Sequence, residues 1–404
     1  MKRLDVVVGR MSVHDSDSIV VLEGTRTPHG TLLGSLADVD AVSLAETAID
    51  GLLERTPLEG TAIDWVSLGN AIQAGIGQVP GRQAVVESDL PNETPATTVN
   101  EASGSGLRAI TLAADRIAAG RADLTIGGGF ESMTNAPWIL PDYRTGRRHG
   151  DVTIKDSMIL DSLWDRNLDV HMGEITERLV DREDISREAQ DEYALESHRR
   201  AAEAIESGAF DEEIVPVDTG GETVERDEGP RPDSTLEDLA ELPPSFRDDG
   251  TITPGNASKL SDGAGVVLLA SESVAADRDC EPMARLVDYD LAYRDPDEFN
   301  EAVGDVVEAL LADNGLAVED VDAYWINEAF AAQSVYVMER LGIPRDRLNP
   351  QGGAVAFGHP IGGSGGMLAA SLAYQLRDDP DVDRGLVGMS VGGGGAIMAL
   401  LESV

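Results

Sequence analysis

The run Gly352-Gly353-Ala354-Val355-Ala356-Phe357-Gly358-His359-Pro360-Ile361-Gly362-Gly363-Ser364-Gly365 sets one histidine between glycines, immediately before a stretch of helical character. Small and apolar residues recur at helical spacing from Ser364 to Leu376, and Gly385 to Met389 reads as a buried strand followed by the glycine cluster Gly392 to Gly395. The same order occurs upstream. There Ser105 to Ala118 reads as a helix, Gly120 as its stop, and Asp123 to Ile126 as a strand ending in Gly127-Gly128-Gly129. A short apolar segment precedes each unit at similar distance, Asp64 to Leu68 before the first and Asp322 to Ile326 before the second. With Ser18 to Leu22 as a further strand and Ala41 to Leu53 as a further helix, the alternation predicts α/β architecture built from two related halves.

Composition bounds what such a chain can do. Its 404 residues carry 31 Lys plus Arg against 74 Asp plus Glu, a formal net charge of −43. A protein so acidic lacks the basic face that replaces counterions on nucleic acid, so that class of function is excluded. Hydrophobic residues make up 42% of the chain, enough for a large core in two or three domains rather than a disordered polyanion. Lys2, Lys155 and Lys259 are the only lysines. A carboxylate-rich, lysine-poor surface suits molar salt, where the Debye length falls to about 3 Å, and predicts a halophilic cytosol. Cys280 is the single cysteine, which excludes an intramolecular disulfide and a cysteine zinc site and fits a reducing cytoplasm. Met1 to Asp15 is too charged for a secretory signal. The uncharged run Gly385 to Leu401 approaches membrane-spanning length, but four internal glycines make strand, tight turn and second strand the better reading.

Between the halves, from about Glu131 to Gly250, the character changes. A basic cluster (Arg144, Arg147, Arg148, His149) is followed by an amphipathic stretch from Ser186 to Ser207 and an acidic, proline-bearing segment from Asp218 to Pro244. An inserted domain with an exposed acidic loop accounts for all three.

Four places have the residue types for chemistry. Val99-Asn100-Glu101-Ala102-Ser103-Gly104-Ser105-Gly106 opens a helix and puts a hydroxyl at the positive end of its dipole, although serine is also a preferred helix cap. His359 is the one histidine of six that backbone leaves open to a ligand from both sides. Met389-Ser390-Val391-Gly392-Gly393-Gly394 is a strand end whose amides can converge on an anion, or a close-packed turn. Asn327-Glu328-Ala329-Phe330-Ala331 places an amide at the end of an apolar segment, a common site position in α/β sheets and equally a turn.

Together these segments resemble the thiolase family over nearly the whole chain. The histidine run is similar to the family's GGAxAxGHPxGxSG motif, and Asn327 to Gln333 matches NEAFAAQ in full. Val99, Asn100, Ser105 and Gly106 match V-N-x-x-C-x-S-G, with Ser103 where the family has cysteine. Ser390 likewise stands at the cysteine of C-x-G-G-G. Gly128 to Met133, His171-Met172-Gly173 and Asp249 to Ser258 match further family segments, whereas Tyr293 to Ala302 lacks the usual M-G-x-G-P. The resemblance implies a thiolase-like α/β fold of two related halves in a layered α-β-α-β-α arrangement with an inserted loop domain. The expected division is 1–128 plus 256–280, the insert 129–255, and 281–404. The implied function is acyl-CoA C-acyl transfer: thiolysis of 3-ketoacyl-CoA, or Claisen condensation of acyl-CoA units, in fatty acid and lipid metabolism. Ser103 would carry the acyl group, His359 would activate it, and Ser390 would occupy the Claisen acid/base position. Asn327, through a water, and the amides of Ser103 and Gly392 would hold the oxyanions. Ser258, His171, Met172, Leu163, Ala329 and Phe330 would line the coenzyme A channel. Coenzyme A thioesters are then substrates, with no permanently bound cofactor and no metal. Further expectations are a cytoplasmic homodimer or homotetramer, a possible second subunit, and no nucleic acid or membrane partner. Two alternatives remain: an attenuated acyl-CoA-binding or scaffold subunit, and a disabled cysteine-to-serine form of a thiolase.

Overall fold

The middle of the molecule is a mixed sheet in which each half of the chain contributes a block of strands. The computed structural model describes residues 17–404 except 59 and 142, so the charged stretch Met1 to Asp15 lies outside the described residues. From one edge the strands run Ala323–Ile326, Arg384–Val391, Gly395–Glu402, Ala284–Tyr293, Ile19–Arg26, Ser261–Ser271, Leu124–Ser132, Trp65–Gly69 and Ala96–Val99. The first four come from the C-terminal half and the rest from the N-terminal half. The blocks join where Ile19 to Val21 pair antiparallel with Leu286 to Ala284. Each block has parallel pairing at its outer edge and antiparallel pairing inside.

Two helices, Ser105–Ala118 and Ser364–Asp378, pack against each other and against strands of both blocks. They are therefore covered along most of their length, with exposed residues only toward their C-terminal ends, at Asp115, Ala118, Arg377 and Asp378. Ile110, Ala113, Ala114, Ala369, Ala370 and Ala373 are buried in one core with Val387, Met389 and Ile397. A second core lies under the helix Ala41–Arg55 on the outer face of the N-terminal block, and a third under Phe299–Asp313 and Ala331–Leu341 on the outer face of the C-terminal block. Helix, sheet, helix, sheet, helix is thus the layer order, as expected from the resemblance. Among the described residues no helix is long and apolar enough to cross a membrane.

Local chemistry explains the element ends. Asp40 caps Ala41–Arg55 by accepting from the Val42 and Ser43 amides, and Ser186 caps Arg187–Ser207 by accepting from Ala189. Each such cap contributes about 1 kcal/mol. Gly208, at φ 76°, closes the latter helix in the left-handed conformation that glycine adopts without strain. Gly392 to Gly395 does turn between two strands, with Gly393 and Gly394 at positive φ. The triplet Gly127-Gly128-Gly129 behaves differently from expectation: it ends nothing, and the strand continues to Ser132, past the anticipated boundary at 128/129. A side chain there would meet the Ile110 backbone, the Gly265 carbonyl or the Gly362 carbonyl. These glycines let a helix, a neighbouring strand and the histidine segment approach the sheet closely.

The insert contributes one unexpected feature. Asp227, inside the acidic stretch read as exposed loop, is buried and holds Arg26 through two bonds of 2.7 and 3.0 Å. Arg26 also pairs with Glu213, and Glu213 accepts from Ser371 Oγ at 2.7 Å. One guanidinium thereby ties the first strand, the insert and the last long helix together. By contrast, Arg144, Arg147, Arg148 and His149 are exposed.

Candidate active site

Ser103 sits in a turn just ahead of the helix Ser105–Ala118 and does not cap it; the cap position is Gly104, which makes no side-chain bond. The turn is fixed by its neighbours. Ser105 Oγ accepts from the Glu101 amide at 2.8 Å and donates to the Ala102 carbonyl at 2.6 Å, while Asn100 Oδ1 accepts from the Ala102 amide at 3.1 Å. Ala102 is held at φ 48°, a left-handed conformation that is costly for a residue with a side chain and so depends on this network.

His359 comes from the other half, 256 positions later, and its Nε2 lies 2.9 Å from Ser103 Oγ. Its Nδ1 lies 2.6 Å from Ser364 Oγ, on the first turn of the central helix. The ring is 4% exposed, and its backbone amide donates to the Lys259 carbonyl at 2.9 Å. Burial, reinforced by the nearby His29, holds its proton affinity down to about 3. The imidazole is therefore neutral at pH 7, able to accept a proton at one nitrogen while the other engages Ser364.

The other two motifs border this pair. A Cβ at Gly104 would contact Val391, and one at Gly392 would stand 3.5 Å from Ala102 Cβ, so the glycine turn runs alongside the Ser103 turn. Ser390, two residues before Gly392, is 3% exposed and makes no side-chain hydrogen bond among the described residues. Asn327 follows the parallel strand beside it and donates its amide to the Gly388 carbonyl at 2.9 Å. Its side-chain Nδ2 is buried without a partner among the described residues, and Asn327 lines a cavity of about 30 Å³ together with Ser364 and His29. Such an orphan donor is free for a bound oxygen atom.

Ser258 bridges the motifs: its amide donates to the Ala329 carbonyl at 3.1 Å, and the next residue, Lys259, receives His359. Met172 and Phe330 share an apolar cluster with Ile175, Ile252 and Phe299, flanked by Ala329. His171 stacks on Phe246 at 4.7 Å, and Phe246 meets Phe330 edge-on at 6.1 Å. His171 also caps the helix Met172–Glu183, its Nδ1 accepting from Gly173 at 3.0 Å. Leu163 packs elsewhere, against Met133, Met158 and Ile361, the last two residues from His359. Beside the Ser103 turn a groove of about 1000 Å³ opens between Ala71 and Asn100 on one wall and Trp138, Ile159, Leu160 and Trp164 of the insert on the other, with Lys155 and Arg166 at its margin.

Three contributors escaped the sequence reading of the site. Ser364 was visible only as a helix start, although a hydroxyl five residues after a histidine was signal enough to consider it. Glu328 accepts from Tyr193, Ser197, Asn349 and the Val355 amide, pinning the approach to His359. Glu131 accepts four N–H bonds from Asn70, Ala71, Ile72 and Gly362, and burial nonetheless pushes its carboxyl up to about 7. Neither glutamate could be assigned without knowing which backbone amides it faces.

Comparison with known proteins shows the family. The family description "Thiolase, N-terminal domain" matches residues 19–273, and "Thiolase, C-terminal domain" matches 280–403. The chain is 39% identical over 389 residues to a probable acetyl-CoA acyltransferase of Staphylococcus epidermidis, covering 95% of this chain and 98% of that one. It is 40% identical to the protein of the same description from Staphylococcus aureus, with the same coverage. Among solved structures, the acetyl-CoA acetyltransferase of Bacillus anthracis superposes with a TM-score of 0.93 at 35% identity, over 96% of this chain and 99% of that one. Human mitochondrial 3-ketoacyl-CoA thiolase in complex with CoA gives 0.92 at 34% identity, over 96% and 98%.

Proposed function

Starting from the fact that the chain belongs to the thiolase family and is an acyltransferase of that family, we propose that it transfers acyl groups from coenzyme A thioesters through an ester on Ser103. The observation that carries this reading is the 2.9 Å contact between Ser103 Oγ and a buried, neutral His359. An alcohol cannot supply an anion at neutral pH, so attack on the thioester carbonyl requires its proton to leave as the C–O bond forms. His359 Nε2 is placed to take that proton and to return it to the departing CoA sulfur. Asn327 Nδ2, through a water shared with His359, and the amides of Ser103 and Gly392 hold the oxyanions. In the thiolysis direction Ser103 Oγ instead attacks the 3-keto carbonyl, the Cα–Cβ bond breaks, the departing acetyl-CoA takes a proton at its α-carbon, and CoA then attacks the acyl ester to release the shortened acyl-CoA. In the condensation direction the ester formed with loss of CoA is attacked by the α-carbon of a second acyl-CoA once that carbon has given up its proton.

Ser103 and Ser390 stand, on this reading, where the family carries cysteines, and the two exchanges differ in consequence. Ser103 has a base and can work as serines do in hydrolases. Ser390 is an alcohol with a proton affinity far from operating pH and, among the described residues, no side-chain hydrogen bond, so the proton at the substrate α-carbon falls to His359, passes between Ser390 and the substrate through a water, or goes unaided. An attenuated enzyme is therefore the second reading, and the isolation of Ser390 is what favours it. The groove walled by Trp138, Trp164, Ile159 and Leu160 takes the pantetheine arm; its lining carries Lys155 and Arg166 but also Asp156, Asp161 and Asp169, so salt screening rather than local charge relieves the protein's negative field at the phosphates. Ser258, His171, Met172, Ala329 and Phe330 complete one side of the substrate channel, and Leu163, packed apart from them beside Ile361, contributes at the groove side.

Incubation with acetyl-CoA at molar salt, followed by intact-mass and peptide analysis, tests the central step. An acetyl ester on Ser103 is expected; acetylation at another residue, or turnover with none, overturns the reading. Assembly follows from the same picture: the edge strand Ala96–Val99 pairs with its copy in a homodimer or homotetramer. Repulsion between protomers of charge −43 weakens as the Debye length shrinks from about 10 Å at 0.1 M to about 3 Å at 1 M. Light scattering across that range should show association rising with salt; a persistent monomer at 1 M overturns it.

A further inference from the structure

Ser103 Oγ and His359 Nε2 belong to loops from opposite halves of the chain, and both loops are fastened to one buried carboxylate. Glu131 is fully buried. Its Oε1 accepts from Asn70 Nδ2 at 2.7 Å and the Ile72 amide at 3.2 Å; its Oε2 accepts from the Ala71 amide at 2.9 Å and the Gly362 amide at 3.1 Å. On the nucleophile side the connection continues without a gap. The Ala71 carbonyl accepts from Asn100 Nδ2 at 3.1 Å, and Asn100 Oδ1 accepts from the Ala102 amide at 3.1 Å, one residue before Ser103. On the base side, Gly362 lies three residues after His359 and two before Ser364, the partner of His359 Nδ1. The docking is tight, since a Cβ on Gly362 would come within 2.8 Å of the Asn70 backbone and 3.0 Å of Glu131 Oε2.

Four N–H donors converge on two oxygens that only accept, a pattern that a carboxylate satisfies completely and an amide cannot. We propose that Glu131 is a positioning residue that sets the separation of Ser103 Oγ and His359 Nε2 by holding the 70–72 turn and Gly362 on one group. Its kinetic consequence rests on the reading of Ser103 as acyl carrier; its geometric consequence does not. Glutamine at this position turns an NH2 toward at least one backbone N–H, so one of the two loops must withdraw. A displacement near 1 Å between reacting groups lowers rate by about 100-fold.

The test uses the full chain with Glu131→Gln, Glu131→Asp and, as control, Asp64→Asn, which alters a carboxylate accepting two backbone amides at the opposite end of the same strand. Glu131→Gln is expected to move Ser103 Oγ beyond 3.5 Å from His359 Nε2 in a crystal structure. It should slow acyl-enzyme formation about 100-fold while KM for acetyl-CoA stays within about threefold. Glu131→Asp should recover part of the rate, and Asp64→Asn should leave it unchanged. A Glu131→Gln protein that keeps the 2.9 Å contact, acylates within threefold of the parent, or changes KM alone overturns the proposal. Should Glu131→Gln fail to fold, Asn100→Ala cuts the same connection farther from the core and must show the same separation and rate loss. If the parent forms no acyl-serine, the Ser103 reading falls by itself, and the crystallographic distance still decides the role of Glu131.

Discussion

Ser103 and Ser390 are hydroxyls of the same kind in very different company. Ser103 is half-buried, meets a histidine at 2.9 Å, and stands on a turn braced by Ser105, Asn100 and, at one remove, Glu131. Ser390 is more deeply buried, lies on a regular strand opposite Ala396, and makes no side-chain hydrogen bond among the described residues. Burial alone therefore says little about chemical readiness. What distinguishes the two is whether the surroundings supply somewhere for a proton to go.

The strongest way to break this contrast is Ser103→Ala. Acyl-enzyme formation and thiolysis of acetoacetyl-CoA should fall by about 10³-fold or more, measured by rapid-quench mass analysis and by CoA-dependent loss of substrate absorbance. Activity retained within tenfold would place the nucleophile elsewhere. Next in size, His359→Gln should slow acylation by about 10²–10³-fold. The same variant carries a pH signature. An unfolded histidine titrates near 6.5 and this one near 3 when folded, so the unfolded chain binds more protons between those values. The neutral ring favours folding above pH 6.5 and loses that contribution as pH falls toward 3. Thermal midpoints of the parent should accordingly fall more steeply with acidification in that window than those of His359→Gln.

Restoring a thiol sharpens the comparison from the other side. Ser390→Cys should raise condensation or thiolysis about tenfold through a proton carrier of pKa about 8.5, and leave the acylation half-reaction unchanged. An equal gain in both half-reactions would mean that Ser390 touches the first step too. The smallest expected effect belongs to Ser364→Ala, which frees one side of His359; the loss of one hydrogen bond of about 1 kcal/mol corresponds to roughly a fivefold slower acylation.

Much of this was legible in the chain before any coordinates. Helices beginning at Ala41, Ser105 and Ser364 follow from apolar spacing, and they end within two residues of the expected positions. The pairing of Ser103 with His359 followed from motif resemblance and from nothing local. What stayed hidden was set by approach distances. Gly127 to Gly129 read as a stop because glycine usually marks turns, whereas here its missing side chain makes room for Ile110 and Gly362. Asp227 read as solvated because its neighbours are acidic, yet Arg26 reaches it from 201 positions away. Glu131 reaches Gly362 only once both halves have closed, whereas Ser364 lies five residues from His359 and was within reach of a local reading.

The shared middle layer of helices also has a consequence for synthesis. When Ser105–Ala118 leaves the ribosome, half of the surface that will enclose it belongs to residues not yet made; His359 follows Ser103 by 256 positions. At about 5–20 residues per second that interval lasts roughly 13 to 50 s. During it the apolar flank of Ile110, Ala113 and Ala114, together with the strands Leu124–Ser132 and Ser261–Ser271, faces water or a chaperone. The nascent N-terminal half therefore carries an apolar face that only the later half of the chain can cover.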